Sequence, residues 1–220
     1  MPWYAGPCVV DPVAVIDAGY GSVAAVVRAL RWSGAVVTLA REPGDLAGVA
    51  GAILPGVGHF AAAAAMLHSG GWAEALVVHR QAGRPLLGIC LGMHLLFDGS
   101  EEGPGRGLGF LPGRIQALPP MPRRLHLGWA RPTWNRAVAA LGGVGDRRFT
   151  FAHGYACPGD HPAACARLAV GEGTWAMAVA DGPVMGVQFH PEKSLEDGAR
   201  LLAAFAGACG QPLTSRTWDA

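Results

Sequence analysis

Four short apolar runs, at 13–16, 36–39, 52–54 and 86–89, punctuate the first ninety residues of the chain. Each is too short for a helix and too uniformly apolar for a strand with one wet face, so each reads as a strand buried on both sides. Stretches with helical spacing follow them, near 22–33, 60–69, 71–82 and 91–97. Strand and helix in alternation predict a parallel sheet covered on both faces. The segment 109–134, rich in proline and glycine, breaks that pattern. Short strands near 114–117, 148–152 and 176–180 then predict an antiparallel extension, before the apolar run 184–189 re-enters the sheet and a helix at 196–208 closes it. The expected architecture is α/β, an open and mostly parallel twisted sheet flanked by helices. An extension at 1–12, one domain at 13–208 and a tail at 209–220 divide the chain.

Composition narrows the function classes. Lysine plus arginine number 17 against 16 for aspartate plus glutamate, a net charge of +1, so no global field points to nucleic acid or a membrane surface. The 33 glycines and 17 prolines are spread between apolar runs without a repeat, as tight α/β loops require. Five cysteines, Cys8, Cys90, Cys157, Cys165 and Cys209, are odd in number. The first twelve residues lack the basic start and apolar core of a secretory signal, and no apolar stretch reaches 18 residues. The expectation is a cytoplasmic protein with reduced thiols. Cys157 and Cys165 with His153 and His161 match no familiar metal-ligand spacing, and no metal or cofactor is expected. His59, His68 and His79 read as partly exposed helix or loop residues.

Chemistry concentrates at Gly88-Ile89-Cys90-Leu91-Gly92, where an apolar strand meets helix formers. A sharp turn needs residues without a Cβ near its apex, so Gly-x-Cys-x-Gly reads as a nucleophile elbow carrying sulfur. Most cysteines are small hydrophobes; the two glycines set this one apart. The start of the helix favours its thiolate. A base for Cys90 is found where a second apolar strand ends, in Gln188-Phe189-His190-Pro191-Glu192-Lys193-Ser194. Glu192, two residues after His190, is placed to curl back onto the second imidazole nitrogen and orient it. The loop Pro55-Gly56-Val57-Gly58-His59-Phe60 also follows a strand, and its backbone N–H groups suit an oxyanion formed by acyl transfer.

With these come Asp17-Ala18-Gly19-Tyr20-Gly21, Ser100-Glu101-Glu102-Gly103 and His126-Leu127-Gly128-Trp129, in that order along the chain. Together the motifs resemble class I (triad) glutamine amidotransferases over roughly residues 13 to 206, most closely the glutaminase subunits of imidazole glycerol phosphate synthases. The resemblance implies a flavodoxin-like sheet and hydrolysis of glutamine to glutamate and ammonia, with the ammonia passed to a (β/α)₈-barrel synthase subunit in histidine biosynthesis. It implies Cys90 as nucleophile, His190 as base then acid, and Glu192 as orienter. Val57, Gly58 and Leu91 would supply the oxyanion hole. Gly56, His94, Glu102, His153, Gly154 and Tyr155 would surround glutamine, and Gly19, Ser22, Trp129 and Lys193 would face the synthase.

Several matched positions depart from the family. His94 stands where glutamine is usual, Ser22 where asparagine is usual, and Gly154 replaces a serine. Leu125 and Leu127 replace a proline and a methionine, and Ala204 an asparagine. None touches the triad. The changes also fit a paralogue feeding ammonia to a different synthase, and, further off, a binding subunit without turnover.

Overall fold

The computed structural model describes residues 10–19, 21–120, 125–142 and 145–212; Cys8, Tyr20 and most of both terminal segments lie outside them. Strands β1 (Val13–Ile16), β2 (Val37–Ala40), β3 (Gly51–Gly56) and β4 (Leu86–Cys90) alternate with helices α1 (Val23–Trp32), α2 (Phe60–Ser69) and α3 (Trp72–Gln81). Next come α4 (Leu91–His94), β5 (Phe97–Ser100), β6 (Leu111–Ala117), β7 (His126–Ala130), β8 (Thr133–Trp134), β9 (Phe149–His153), β10 (Tyr155–Pro158), β11 (Ala164–Val170), β12 (Gly173–Asp181) and β13 (Val184–Val187). Helix α5 (Leu195–Ala208) ends the fold.

The main sheet runs β2-β1-β3-β4-β13-β12-β10-β6-β5, with β11 and β8 branching from β12. Its first five strands are parallel, and β12 pairs antiparallel with β13 to begin the extension. Strands β7 and β9 form a separate antiparallel ribbon. Alternate side chains divide between two cores, as a period of two demands. Val13, Val15, Ile53, Leu87 and Ile89 meet Val26 and Leu30 of α1 and Leu201, Leu202 and Phe205 of α5. Ala14, Ile16, Ala52, Leu54 and Leu86 meet Phe60 and Leu67 of α2 and Trp72 and Leu76 of α3. Because β3, β4 and β13 are adjacent and parallel, their carboxyl ends open on one edge, where open α/β sheets bind ligands.

Three expectations need correction. The helix expected over 91–97 is a single turn ending at His94, and β5 begins at Phe97. Residues Leu91 to Phe97 are all buried, so no polar stripe existed to sustain a longer surface helix. Strand β3 continues through Pro55 to Gly56, because Gly56 pairs with Cys90. His79 is buried near the end of α3, its Nε2–H donating to the Pro85 carbonyl at 3.1 Å.

Candidate active site

Cys90 ends β4 with φ 53° and ψ −110°, a conformation sparsely populated by non-glycine residues that costs roughly 1–3 kcal/mol. The strain falls on Cys90 itself, and the glycines around it serve space. A Cβ on Gly88 would lie 2.5 Å from the Gly92 carbonyl oxygen, and one on Gly56 would lie 2.8 Å from the Gly92 nitrogen. The elbow thus packs backbone against backbone, on itself and on the end of β3. A single turn of α4 carries little macrodipole. His190 is a cation that bears on the Cys90 side chain.

His190 follows β13 and shares the cavity lining with Cys90, whose side chain raises its pKa. Its Nδ1–H donates to Glu192 Oε1 at 2.9 Å, with both side chains at most 3% exposed. Burial pulls the imidazole pKa down, but the hydrogen bonds and charges of Cys90 and Glu192 outweigh it and raise it to about 9. Glu192 Oε2 is buried with no hydrogen-bond partner, so the carboxylate depends on the imidazolium for compensation. The turn is held from β9. His190 N–H donates to the Thr150 carbonyl at 2.9 Å, Ser194 Oγ donates to the His190 carbonyl at 2.6 Å, and Thr150 N–H donates to Ser194 Oγ at 2.9 Å. Thr150 is a support the sequence reading did not name, and Ser194 one it quoted in a motif without a role.

A cavity of about 370 Å³ opens over Cys90. Val57, Gly58, Leu91, His94, Glu102, His153, Gly154, Tyr155, His190 and Lys193 share its lining. Gly56, expected at the substrate, lies beneath it, packed against Leu91 and Gly92. Gly58 adopts φ +118° with open space around it, so the loop after β3 is shaped by a glycine-favoured backbone. Glu102 is pinned at the loop's far end, where Oε2 accepts from the Phe60 N–H at 2.9 Å at the start of α2. Larger grooves run along α1, including one of about 660 Å³ that Glu192 and Lys193 line from behind, but Cys90 lines neither.

Two histidines in the lining are kept neutral. Burial lowers the His94 pKa to about 4, and burial with the nearby histidines lowers that of His153 to about 3. His153 Nδ1–H donates to the Tyr155 carbonyl at 3.0 Å, so its Nε2 accepts from His126 Nδ1 at 3.1 Å. His94 Nε2–H donates to Gln188 Oε1 at 2.9 Å, and Gln188 Nε2 lies 3.9 Å from Cys90 Sγ. Gln188 was quoted in the sequence as part of a motif and given no role. The sequence held part of the signal: Gln188 stands two residues before His190, the spacing that sets two side chains on one side of an extended segment.

The residues expected to face a partner surround this edge. Gly19 is exposed, and a Cβ on Gly21 would lie 3.2 Å from the Pro55 backbone, so the loop after β1 leans on the end of β3. Ser22 stands before α1 without a side-chain capping bond. Trp129 is 41% exposed on the β7 ribbon, with the Arg148 guanidinium 5.2 Å from its ring centre. Lys193 is exposed at the cavity rim.

A strained cysteine, a paired histidine and a buried carboxylate at adjoining strand ends are the candidate site for thiol-dependent acyl transfer. The family described as "Glutamine amidotransferase class-I" matches residues 14–208, and the chain belongs to that family. Among its curated relatives, "Imidazole glycerol phosphate synthase subunit HisH" of Xanthomonas axonopodis pv. citri (strain 306) is 41% identical over 198 residues, 88% of this chain and 96% of that one. The protein of the same name from Moorella thermoacetica (strain ATCC 39073 / JCM 9320) is 39% identical over 198 residues, 88% and 93% of the two chains. The same name from Desulfitobacterium hafniense (strain DSM 10664 / DCB-2) is 37% identical over 195 residues, 88% and 92%. Solved structures share the fold. One described as "Crystal structure of glutamine amidotransferase" superposes with a TM-score of 0.72 at 22% identity, covering 90% of this chain and 98% of the other. No helix among the described residues is long and apolar enough to cross a membrane.

Proposed function

We propose that this chain hydrolyses glutamine through Cys90, His190 and Glu192 and delivers the ammonia to a separate (β/α)₈-barrel synthase subunit that forms imidazole glycerol phosphate. The observation that carries the reading is the His190 imidazole, bonded to the buried Glu192 carboxylate and lining one cavity with Cys90, whose charge raises its pKa. The thiolate attacks the side-chain amide carbon, and the backbone N–H groups near Val57, Gly58 and Leu91 receive the oxyanion. The carbon–nitrogen bond breaks as His190 gives its proton to the departing nitrogen, releasing ammonia and leaving a glutamyl thioester.

The thioester also changes what His190 does. Acylation removes the Cys90 charge and hydrogen bond that hold the imidazole pKa near 9, while burial continues to lower it. Neutral His190 then takes a proton from water, whose oxygen attacks the thioester carbon; the carbon–sulfur bond breaks and the ion pair is restored. Having first taken the Cys90 proton as base, His190 serves as acid and then again as base because its charged neighbour disappears between the steps. Glu102 and the neutral histidines at 94 and 153 frame the amino-acid end of glutamine. Gly19, Ser22, Trp129 and Lys193 form the docking edge. The relatives' shared name supports the synthase assignment. A chloroketone analogue of glutamine tests the site: it should label Cys90 alone and be blocked by glutamine. Labelling elsewhere, or at Cys90 without protection by glutamine, would overturn the reading.

A further inference from the structure

Gln188 is fully buried one residue past the apolar strand β13, where an amide without a task costs free energy. Its two ends are committed in opposite directions. Oε1 accepts from His94 at 2.9 Å, and Nε2 points at Cys90 Sγ from 3.9 Å. We propose that Gln188 is a catalytic residue that donates from Nε2 to the Cys90 thiolate, and that His94 is the positioning residue that holds its amide that way round. This deepens the reading above, since it takes Cys90 as the nucleophile.

The orientation is enforced by donor counting. Rotating the Gln188 amide by half a turn would set its NH₂ against the His94 Nε2–H, donor against donor. Moving the His94 proton to Nδ1 would let the rotated amide pair with Nε2, but it would bury an N–H without a partner and turn the Gln188 oxygen, an acceptor, toward the Cys90 thiolate. His94 is 4% exposed and neutral, so the arrangement holds across the working pH range. The thiolate is thereby approached by His190 and by a neutral amide. A contact of 3.9 Å is long for sulfur; such bonds shorten when the acceptor carries full charge and the site closes on substrate. An amide adds stabilisation without adding a proton, so it favours the thiolate and leaves acid–base work to His190.

The test is the pH profile of Cys90 alkylation by iodoacetamide in the full chain, followed by peptide mass analysis, without glutamine or partner. The other described thiols are distinguishable: burial raises the pKa of Cys157 and Cys209 to about 12 and of Cys165 to about 11. Gln188→Leu should move the profile to higher pH and slow alkylation at pH 7 about tenfold, the scale of one hydrogen bond to a charged group. His94→Leu should shift the profile the same way, whereas His94→Gln, which keeps a donor for Gln188 Oε1, should restore it. If Gln188→Leu does not fold, the His94 pair decides. A wild-type profile in His94→Leu, or equal slowing in His94→Leu and His94→Gln, would overturn the proposal. Alkylation needs no turnover, so a chain that failed to hydrolyse glutamine would still report on this contact.

Discussion

A Cβ added to Gly92 would overlap the carbonyl oxygen of Leu54, so the turn carrying Cys90 and the strand leading to the Val57–Gly58 loop meet backbone to backbone. Cys90 and the loop proposed to receive the oxyanion are therefore fixed relative to one another by a contact that no side chain can enter. Gly92→Ala should cost about 1–3 kcal/mol or more of stability, as overpacking does, and abolish glutamine turnover. Urea unfolding with an activity assay checks both. An unchanged midpoint would mean that the two segments are free to separate.

His190 should hold its proton because of Cys90. In Cys90→Ala the hydrogen bond and charge that raise the imidazole pKa to about 9 are gone, while burial still lowers it, so the titration should move to lower pH. NMR of the His190 ring, compared in the wild type and the variant, measures the shift. A titration that stays near 9 would remove the acid-to-base argument.

Glu192→Gln takes away another raising influence. The imidazolium should then be lost at lower pH, and glutamine turnover at pH 7 should fall on the order of 10²-fold, with the high-pH limb of the profile moved down. Linkage gives the sign for stability. A histidine raised from 6.5 to about 9 contributes stabilisation that is complete below about 6.5 and lost as pH rises through 9, and Glu192→Gln should shrink that loss. Unfolding midpoints at pH 6 and pH 10 make the comparison.

Much of this was legible beforehand, for identifiable reasons. The parallel strands are continuous apolar runs, and β1 falls at 13–16 as expected. Cys90 and His190 stand at strand ends in glycine- and proline-marked turns. Strands β10 and β11 escaped notice because Tyr155–Pro158 and Ala164–Val170 are rich in alanine and cysteine and poor in β-branched residues; pairing with β12 makes them strands. His94 drew attention as a departure near the substrate, but its use of Gln188 is a contact between residues 94 apart that no local pattern encodes.

The docking edge should depend on exposed apolar side chains of the β7 ribbon. Leu127 is 65% exposed and Trp129 41%. Trp129→Ala should weaken association with the synthase subunit by about tenfold or more, as loss of a buried interface aromatic does, while leaving Cys90 alkylation in the free chain unchanged. Calorimetric titration of the two subunits provides the affinity.

Glutamate release from glutamine is the most direct test of the central claim, measured for the chain alone and then with the imidazole glycerol phosphate synthase barrel subunit and its substrate, with Cys90→Ala alongside. The expected result is strong stimulation by the loaded partner and complete loss in the variant. Turnover that survives in Cys90→Ala, or that the barrel subunit does not stimulate, would contradict it.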